Sequence, residues 1–305
     1  MNHITDRLLH IVSGFQGLFD GAYNIRENGQ CAGRRSTAHI LIASKEDAPG
    51  IEVRILPGTK GETVYIPACV TQGNIDDLVY NDFYVGAGAD VTIVAGCGVH
   101  TEDEGEARHN GIHRFMLEKG ARVLYQEKHI GTGAGSGAKR IDPVTEAELA
   151  EDAYLEMDTL QLSGVDSTRR KTSAVLAAGA RLVVRERILT DGTQTAETDF
   201  EVTLRGADSG ADLISRSVAK GASRQIFRSV LRGCTRCSGH SECDAILADR
   251  GSVIASPSLE ASHLEAALIH EAAIGKIAGE QILKLQTLGL TEQEAEEKII
   301  AGFLK

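Results

Sequence analysis

The sequence predicts a mainly β protein: a β-solenoid core, a short N-terminal helix before it and a C-terminal α-helical hairpin after it. Three observations carry that prediction. From about residue 37 onward, short β-rich runs are punctuated by Gly, Asp and Asn. A Gly-Ala-(Asp/Arg)-(Val/Leu) pattern recurs at Gly88, Gly120, Gly179 and Gly210, on a spacing of about 30 residues or twice that. After Ser258 the apolar period lengthens to about 3.6. The expected divisions are 1–36 (helical segment), 37–258 (β-helix core) and 259–305 (helical domain).

Residues 3–20 read as an amphipathic helix, with Ile4, Leu8, Ile11 and Phe15 near one face and Asp20-Gly21 ending it. Ala38–Ile42, Ile51–Leu56 and Glu62–Ile66 read as strands. In the repeat, each Gly supplies the positive φ of a sharp corner and feeds a strand of five to seven residues. The long gap between Gly120 and Gly179 then holds one degenerate copy. A second series, Gly221 and Gly251, is offset by half a unit. One such unit cannot bury its apolar face alone, whereas stacked units share a continuous core. A β-sandwich with hairpins at the same spacing is the alternative.

Gly131 to Gly137 reads as a flexible loop; it lacks the Gly-Lys-Ser/Thr of a phosphate loop and the helix start of a dinucleotide fingerprint. Thr145–Ala150 reads as a surface turn of helix and Tyr154–Leu162 as a strand. Ile274, Ile277, Ala278, Ile282 and Leu285 form one helical stripe ending at Gly289, a good residue to follow a helix. Thr291-Glu-Gln-Glu294 is a capping box, opening a helix with Ala295, Ile299 and Phe303 on its apolar face. The hairpin either caps the end of the coil or presents a docking surface.

Composition narrows the function. The formal charge of −11 excludes a basic stripe for nucleic acid and fits plain solubility. Hydrophobic content of 42% supports a sizeable core, and 4% aromatics with no Trp make that core aliphatic. No secretory leader and no run of eighteen apolar residues is present, so a cytoplasmic protein without a membrane span is expected. Six cysteines are then expected as thiols, clustered for metal binding or catalysis.

The densest ligand run is Cys234-Thr-Arg-Cys237-Ser-Gly-His240-Ser-Glu-Cys243, followed downstream by His270-Glu271. Thiolates suit iron–sulfur clusters, zinc or copper(I), and imidazole is a borderline ligand. On a strand, a spacing of three sends successive side chains to opposite faces, so the run must turn, with Gly239 the expected bend. A structural zinc site at Cys234, Cys237, His240 and Cys243 is one alternative, and inert buried cysteines another. His270-Glu271 falls at, or just before, the first C-terminal helix; Ile274 rules out the zinc-protease motif, and a helix-end role is the simpler reading.

A third cluster joins Cys97, His100, His109, His113, Glu127 and His129 from successive units, where satisfied core histidines are expected. Cys31 and Cys69 have no ligand-like neighbours. No Gly-x-Ser-x-Gly elbow and no convincing carboxylate pair is found, so no enzyme is expected. A β-helix acting on carbohydrate is weakened further by the low aromatic content.

Tyr80–Tyr84, Gly88–Cys97, His109–Phe115 and Gly120–Tyr125 resemble short members of the SufB/SufD family. So do Cys243-Asp, Pro257, Leu259-Glu260, His270-Glu-Ala, Ile274-Gly-Lys-Ile, Glu280-Gln281, Leu288-Gly-Leu and Ile299 to Phe303. The resemblance covers roughly 60–305. It implies a scaffold of the SUF iron–sulfur assembly machinery, with a β-helix followed by helices that bind the ATPase SufC. In SufB-like members a Cys and a downstream Glu are implicated in nascent cluster assembly. Cys243 and Glu271 match those positions, spaced one residue closer, and His270 matches the His beside that Glu. Cys234, Cys237 and His240 have no counterpart carried over; they are candidate extra ligands. The chain is shorter than typical SufB, so the implied partners are a SufC-like ATPase at residues 270–305, a second copy or a SufD-like subunit, and a cysteine desulfurase or sulfide as sulfur donor.

Overall fold

In the computed structural model, which describes residues 2–305, the chain winds into a β-solenoid of about eight turns. Met1, the first residue of the expected 1–36 segment, lies outside the described residues. Helix α1 (His3–Ser13) comes first. The early strands are β1 (Ala22–Glu27), β2 (Gln30–Arg35), β3 (Ile40–Ser44), β4 (Gly50–Ile55), β5 (Lys60–Val70), β6 (Ile75–Val85) and β7 (Asp90–His100). The middle ones are β8 (Ala107–Leu117), β9 (Arg122–Thr132), β10 (Lys139–Ile141), β11 (Val144–Leu149), β12 (Tyr154–Gln161), β13 (Ser167–Leu176) and β14 (Arg181–Thr190). Then come β15 (Thr195–Leu204), β16 (Ser209–Ala219), β17 (Arg224–Gly233), β18 (Cys237–Leu247), β19 (Ser252–Ala261) and β20 (Ala266–Lys276). Helices α2 (Gly279–Gln286) and α3 (Glu292–Phe303) follow.

From β4 to β20 the strands alternate between two sheets, with β10 and β11 together in sheet II. Sheet I runs β2-β1-β5-β7-β9-β12-β14-β16-β18-β20, and sheet II runs β19-β17-β15-β13-β10-β8-β6-β4-β3, with β11 paired to both β8 and β13. The first hairpins, β1–β2 and β3–β4, are antiparallel, and the coil beyond them is parallel. Val91, Val123, Leu155, Leu182, Ala211, Gly239 and Leu268 are successive register partners in sheet I. Alternation sends every second side chain inward. The inward apolar groups, Phe83, Phe115, Leu155, Phe200 and Leu213 among them, stack into one core running along the coil.

The corners explain the repeat. Gly88, Gly120 and Gly179 take φ of 64°, 65° and 67°. The expected degenerate copy is Asp152-Ala-Tyr-Leu155, with Asp152 at φ 56° and Leu155 in register with Val123. Gly210 is not a corner: it pairs with Arg181, and Asp208 makes the turn at φ 60°. Asp is among the few residues besides Gly that adopt this left-handed region; Asp208 also accepts from Arg236 Nε and Nη2, on the next turn of the coil, at 2.7 and 2.6 Å.

Four elements differ from expectation. Helix α1 stops at Ser13, where Gly14 turns left-handed at φ 69°; Phe15 and Phe19 then pack as loop residues, Phe19 stacked 4.3 Å from Tyr65. β-Structure begins before residue 37, because β1 and β2 already extend sheet I. Thr145–Ala150 is not helical: Thr145, Ala147 and Leu149 are buried alternately, and β11 fills a gap in sheet II. The Gly131–Gly137 stretch is packed, with Gly135 N–H and Gly137 N–H donating to Thr101 O and Asp103 O at 3.0 and 2.9 Å. A Cβ on Gly135 would lie 2.4 Å from Asp103 O, so the close approach of two backbones requires glycine there.

At the C-terminus the strands persist to Lys276. Ile274 therefore belongs to β20, and only Ile282 and Leu285 of the expected stripe lie on α2. The capping box is present: Thr291 Oγ1 accepts from Glu294 N–H at 3.2 Å, and Glu294 Oε2 accepts from Thr291 N–H at 2.8 Å. Among the described residues, no helix is long and apolar enough to cross a membrane.

Candidate functional site

Strand β18 turns Cys237, Gly239, Ser241 and Cys243 inward and Ser238, His240, Glu242 and Asp244 outward. Cys234 sits on the preceding corner, exposed. Gly239 does not bend the chain; it faces the core, where a Cβ would come within 2.8 Å of Leu268 Cδ2. His240 Nδ1 instead meets Asp212 Oδ1 at 2.7 Å on the outer face. The four residues expected as a structural zinc site thus do not converge, because strand alternation divides them between two faces.

His270 and Glu271 lie in mid-strand on β20, not at a helix start. Ser241 pairs with His270, Glu242 with Glu271 and Cys243 with Ala272. Cys243 and His270 therefore share the inner face of sheet I, while the exposed Glu271 carboxylate leaves by the outer face. Cys243 and Glu271 do not meet within one chain. His270 Nδ1 is shielded from water and has no hydrogen-bond partner. Burial pushes the Cys243 thiol up to about 12, with the Glu186 and Asp244 charges adding to it. Burial also raises Cys237.

The end of the coil is open. β19 and β20 are the last strands of their sheets. Leu259 and Ile274 continue the inward columns yet are 39% and 40% exposed. The helices do not cover them. A 2.9 Å ion pair from Lys220 to Glu296 ties α3 to a corner beside β16, and α2 buries none of its residues.

From this end a polar seam runs back through the core. Cys243, Ser215, Glu186, Thr159 and Glu127 are successive register partners, all inward. Arg170, reaching in from sheet II, donates to Glu127 Oε2 at 2.8 Å and lies 3.4 Å from Glu186 Oε1. Ser215 and Thr198 donate to Glu186 at 2.8 and 2.9 Å. Burial alone would raise Glu127, but His129 and Arg170 outweigh it and hold the carboxyl well below its usual range. Burial dominates at Glu186 and raises it. Sequence reasoning missed this seam, since it emerges only when successive turns are aligned.

At the far end of the seam stands the third cluster. His109 is satisfied as expected, its Nδ1 3.0 Å from Asp77 Oδ2, while Asp77 Oδ1 accepts from Arg26 Nη2 at 2.6 Å. His129 is not: both ring nitrogens are buried without a hydrogen bond. Cys97, Glu127 and His129 bring three ligand atoms within 4.8 Å of one another.

Residues 80–303 match the family described as "SUF system FeS cluster assembly, SufBD core domain". An iron-sulfur cluster assembly SufBD family protein of Methanothermobacter thermautotrophicus (strain Winter) is 32% identical over 272 residues, 87% of this chain. One from Archaeoglobus fulgidus is 28% identical, over 87% of this chain and 70% of its own. One from Staphylococcus aureus (strain USA300) is 24% identical, over 72% of this chain and 47% of its own. The chain spans 64% of the length of the Methanothermobacter relative. The solenoid and the match across most of its length agree: the chain belongs to the SufBD core family of the SUF iron–sulfur cluster assembly system.

Proposed function

We propose that the chain is a SufB-like scaffold, not a catalyst, on which iron and sulfide assemble into a labile cluster for transfer to apo-proteins. The observation that carries this reading is the open end of the coil. There Cys243 and the partnerless His270 share one face at the last two strands of sheet I. A second copy, or a SufD-like subunit, seated on the bare Leu259 and Ile274 would close that end and gather ligands from both chains. Glu271 then contributes from the same edge strand, as a weaker oxygen ligand that favours release. Cys237 is a reserve thiol on the inner face; Cys234, on the corner, and His240, on the outer face, are auxiliary ligands reachable only from outside the coil.

Helix α2, which buries nothing and exposes Leu283, is the docking face for a SufC-type ABC ATPase. Sulfur arrives from a cysteine desulfurase or as sulfide, in the cytoplasm. Structural zinc on the Cys234–Cys243 run has no support, because those ligands point to opposite faces.

Anaerobic reconstitution with iron and sulfide tests the scaffold. Visible cluster absorption is expected in the parent and lost in Cys243→Ala; equal absorption in both refutes the assignment. ATPase pull-down with the chain cut after Lys276 tests docking while sparing β20. Undiminished capture refutes it.

A further inference from the structure

We propose that Cys97, Glu127 and His129 bind a single divalent cation of borderline softness, zinc or ferrous iron, inside the solenoid and apart from the open end. The backbone builds the site. Cys97 on β7 and His129 on β9 are register partners, so their side chains leave sheet I side by side. Glu127 lies two residues earlier on β9, on the same face. The three ligand atoms fall within 4.8 Å of one another, and all three residues are buried.

The cluster is unfinished without an ion. His129 is 1% exposed, and neither Nδ1 nor Nε2 has a hydrogen-bond partner. Its Nε2 is 3.2 Å from Glu127 Oε1, but the pair is not aligned as a hydrogen bond. His113 Nε2, on sheet II, also lacks a hydrogen-bond partner and lies 3.7 Å from the same oxygen, the nearest further imidazole nitrogen to the Glu127 carboxylate. Buried imidazole nitrogens without partners are costly, and metal coordination is one of the few ways to satisfy several at once.

The surroundings suit a cation. Tyr125 Oη donates to Glu127 Oε1 and Arg170 Nη2 to Oε2, each at 2.8 Å, which fixes the carboxylate plane as outer partners of metal ligands do. The buried charges balance as well. Ionised Glu127 and Glu186 against Arg170 leave one excess negative charge. Binding a dication with loss of the Cys97 proton brings the total to neutral. One thiolate, imidazole and one carboxylate select zinc or ferrous iron over magnesium or calcium. Helix α1 covers the opposite, outer face of sheet I here, since side chains on Gly96 and Gly98, beside Cys97, would meet Val12 and Leu8. The ligands face the closed interior, so loading occurs during folding.

The test uses the full chain, produced with cobalt as the added transition metal. One cobalt per chain is expected, with thiolate-to-cobalt charge transfer and the ligand-field bands of a tetrahedral site. Cys97→Ser should abolish the charge-transfer band and His129→Gln should lower occupancy at least tenfold, while Cys243→Ala leaves both unchanged. Circular dichroism checks the fold of each variant, and His129→Gln decides if Cys97→Ser does not fold. Folded parent without cobalt bands, or bands lost in Cys243→Ala and kept in His129→Gln, overturns the proposal. Because Cys243 plays no part, this outcome is independent of cluster assembly at the open end.

Discussion

Replacing Arg170 with Met should unsettle the middle of the coil in a way that depends on pH. The guanidinium is 7% exposed and lies between Glu127 and Glu186, themselves 1% and 2% exposed. Met keeps the apolar stem and removes the guanidinium charge that faces both carboxylates. Leaving a buried charge without its partner costs about 3–5 kcal/mol. At about 2–4 °C per kcal/mol for a chain of this size, melting should fall by roughly 6–20 °C near neutral pH. The pH trend follows from the carboxylates. In the parent, burial opposes ionisation of Glu127, but His129 and Arg170 hold it well below its usual range. Its stabilisation is full above the unfolded pKa and is lost as pH falls through the folded one. In the variant, burial raises Glu186 further and opposes ionisation of Glu127, which keeps His129 beside it. Their penalty is absent below the unfolded pKa and grows as pH climbs toward the folded value. Between pH 8 and 5 the second effect narrows the gap between variant and parent; the first enters only below the unfolded pKa. Thermal unfolding followed by circular dichroism from pH 8 down to pH 5 measures it. A variant melting within about 2 °C of the parent at pH 7, or a gap constant across that range, refutes the charge balance. Adding Glu127→Gln and Glu186→Gln to the same chain should recover most of the loss.

Thiol titration of the native protein should find two fast groups, Cys31 and Cys234, since the other four are buried; rapid reaction of four or more refutes the inward placement of Cys237 and Cys243. Gly133→Ala should destabilise by about 2–4 kcal/mol, read as a lower denaturation midpoint, because its Cβ would lie 2.1 Å from Thr101 O at φ 93°; an unchanged midpoint means the loop is free. Leu259→Glu should shift the sedimentation coefficient to that of a monomer while melting changes little, about 0.5 kcal/mol or less for an already exposed site; an unaltered dimer, or a monomeric parent, refutes the open end as an interface between copies.

The fold was legible because a solenoid writes its period into the chain. The corner residues Gly88, Gly120 and Gly179 mark turns directly, and even the missing copy was recoverable as Asp152. What one sequence does not print is the length of each turn. Between β18 and β20 it is 29 residues, as Cys237 opposite Ala266 shows. Cys243 and Glu271 are 28 apart, one short of a turn, and in a two-residue period one step is the difference between the inner and outer face. That single residue separates the pair that motif spacing had joined. The same arithmetic assembles the third cluster, whose histidines are expected from the sequence to be satisfied in the core. Gly88 and Gly120 are 32 apart, and so are Cys97 and His129. Carrying the repeat from the corner to the strand places thiol against imidazole, with Glu127 two residues back on the same side. In a coiled fold, then, ligands are found by counting in turns of the coil, and spacing along the chain has meaning only after the local turn length is known.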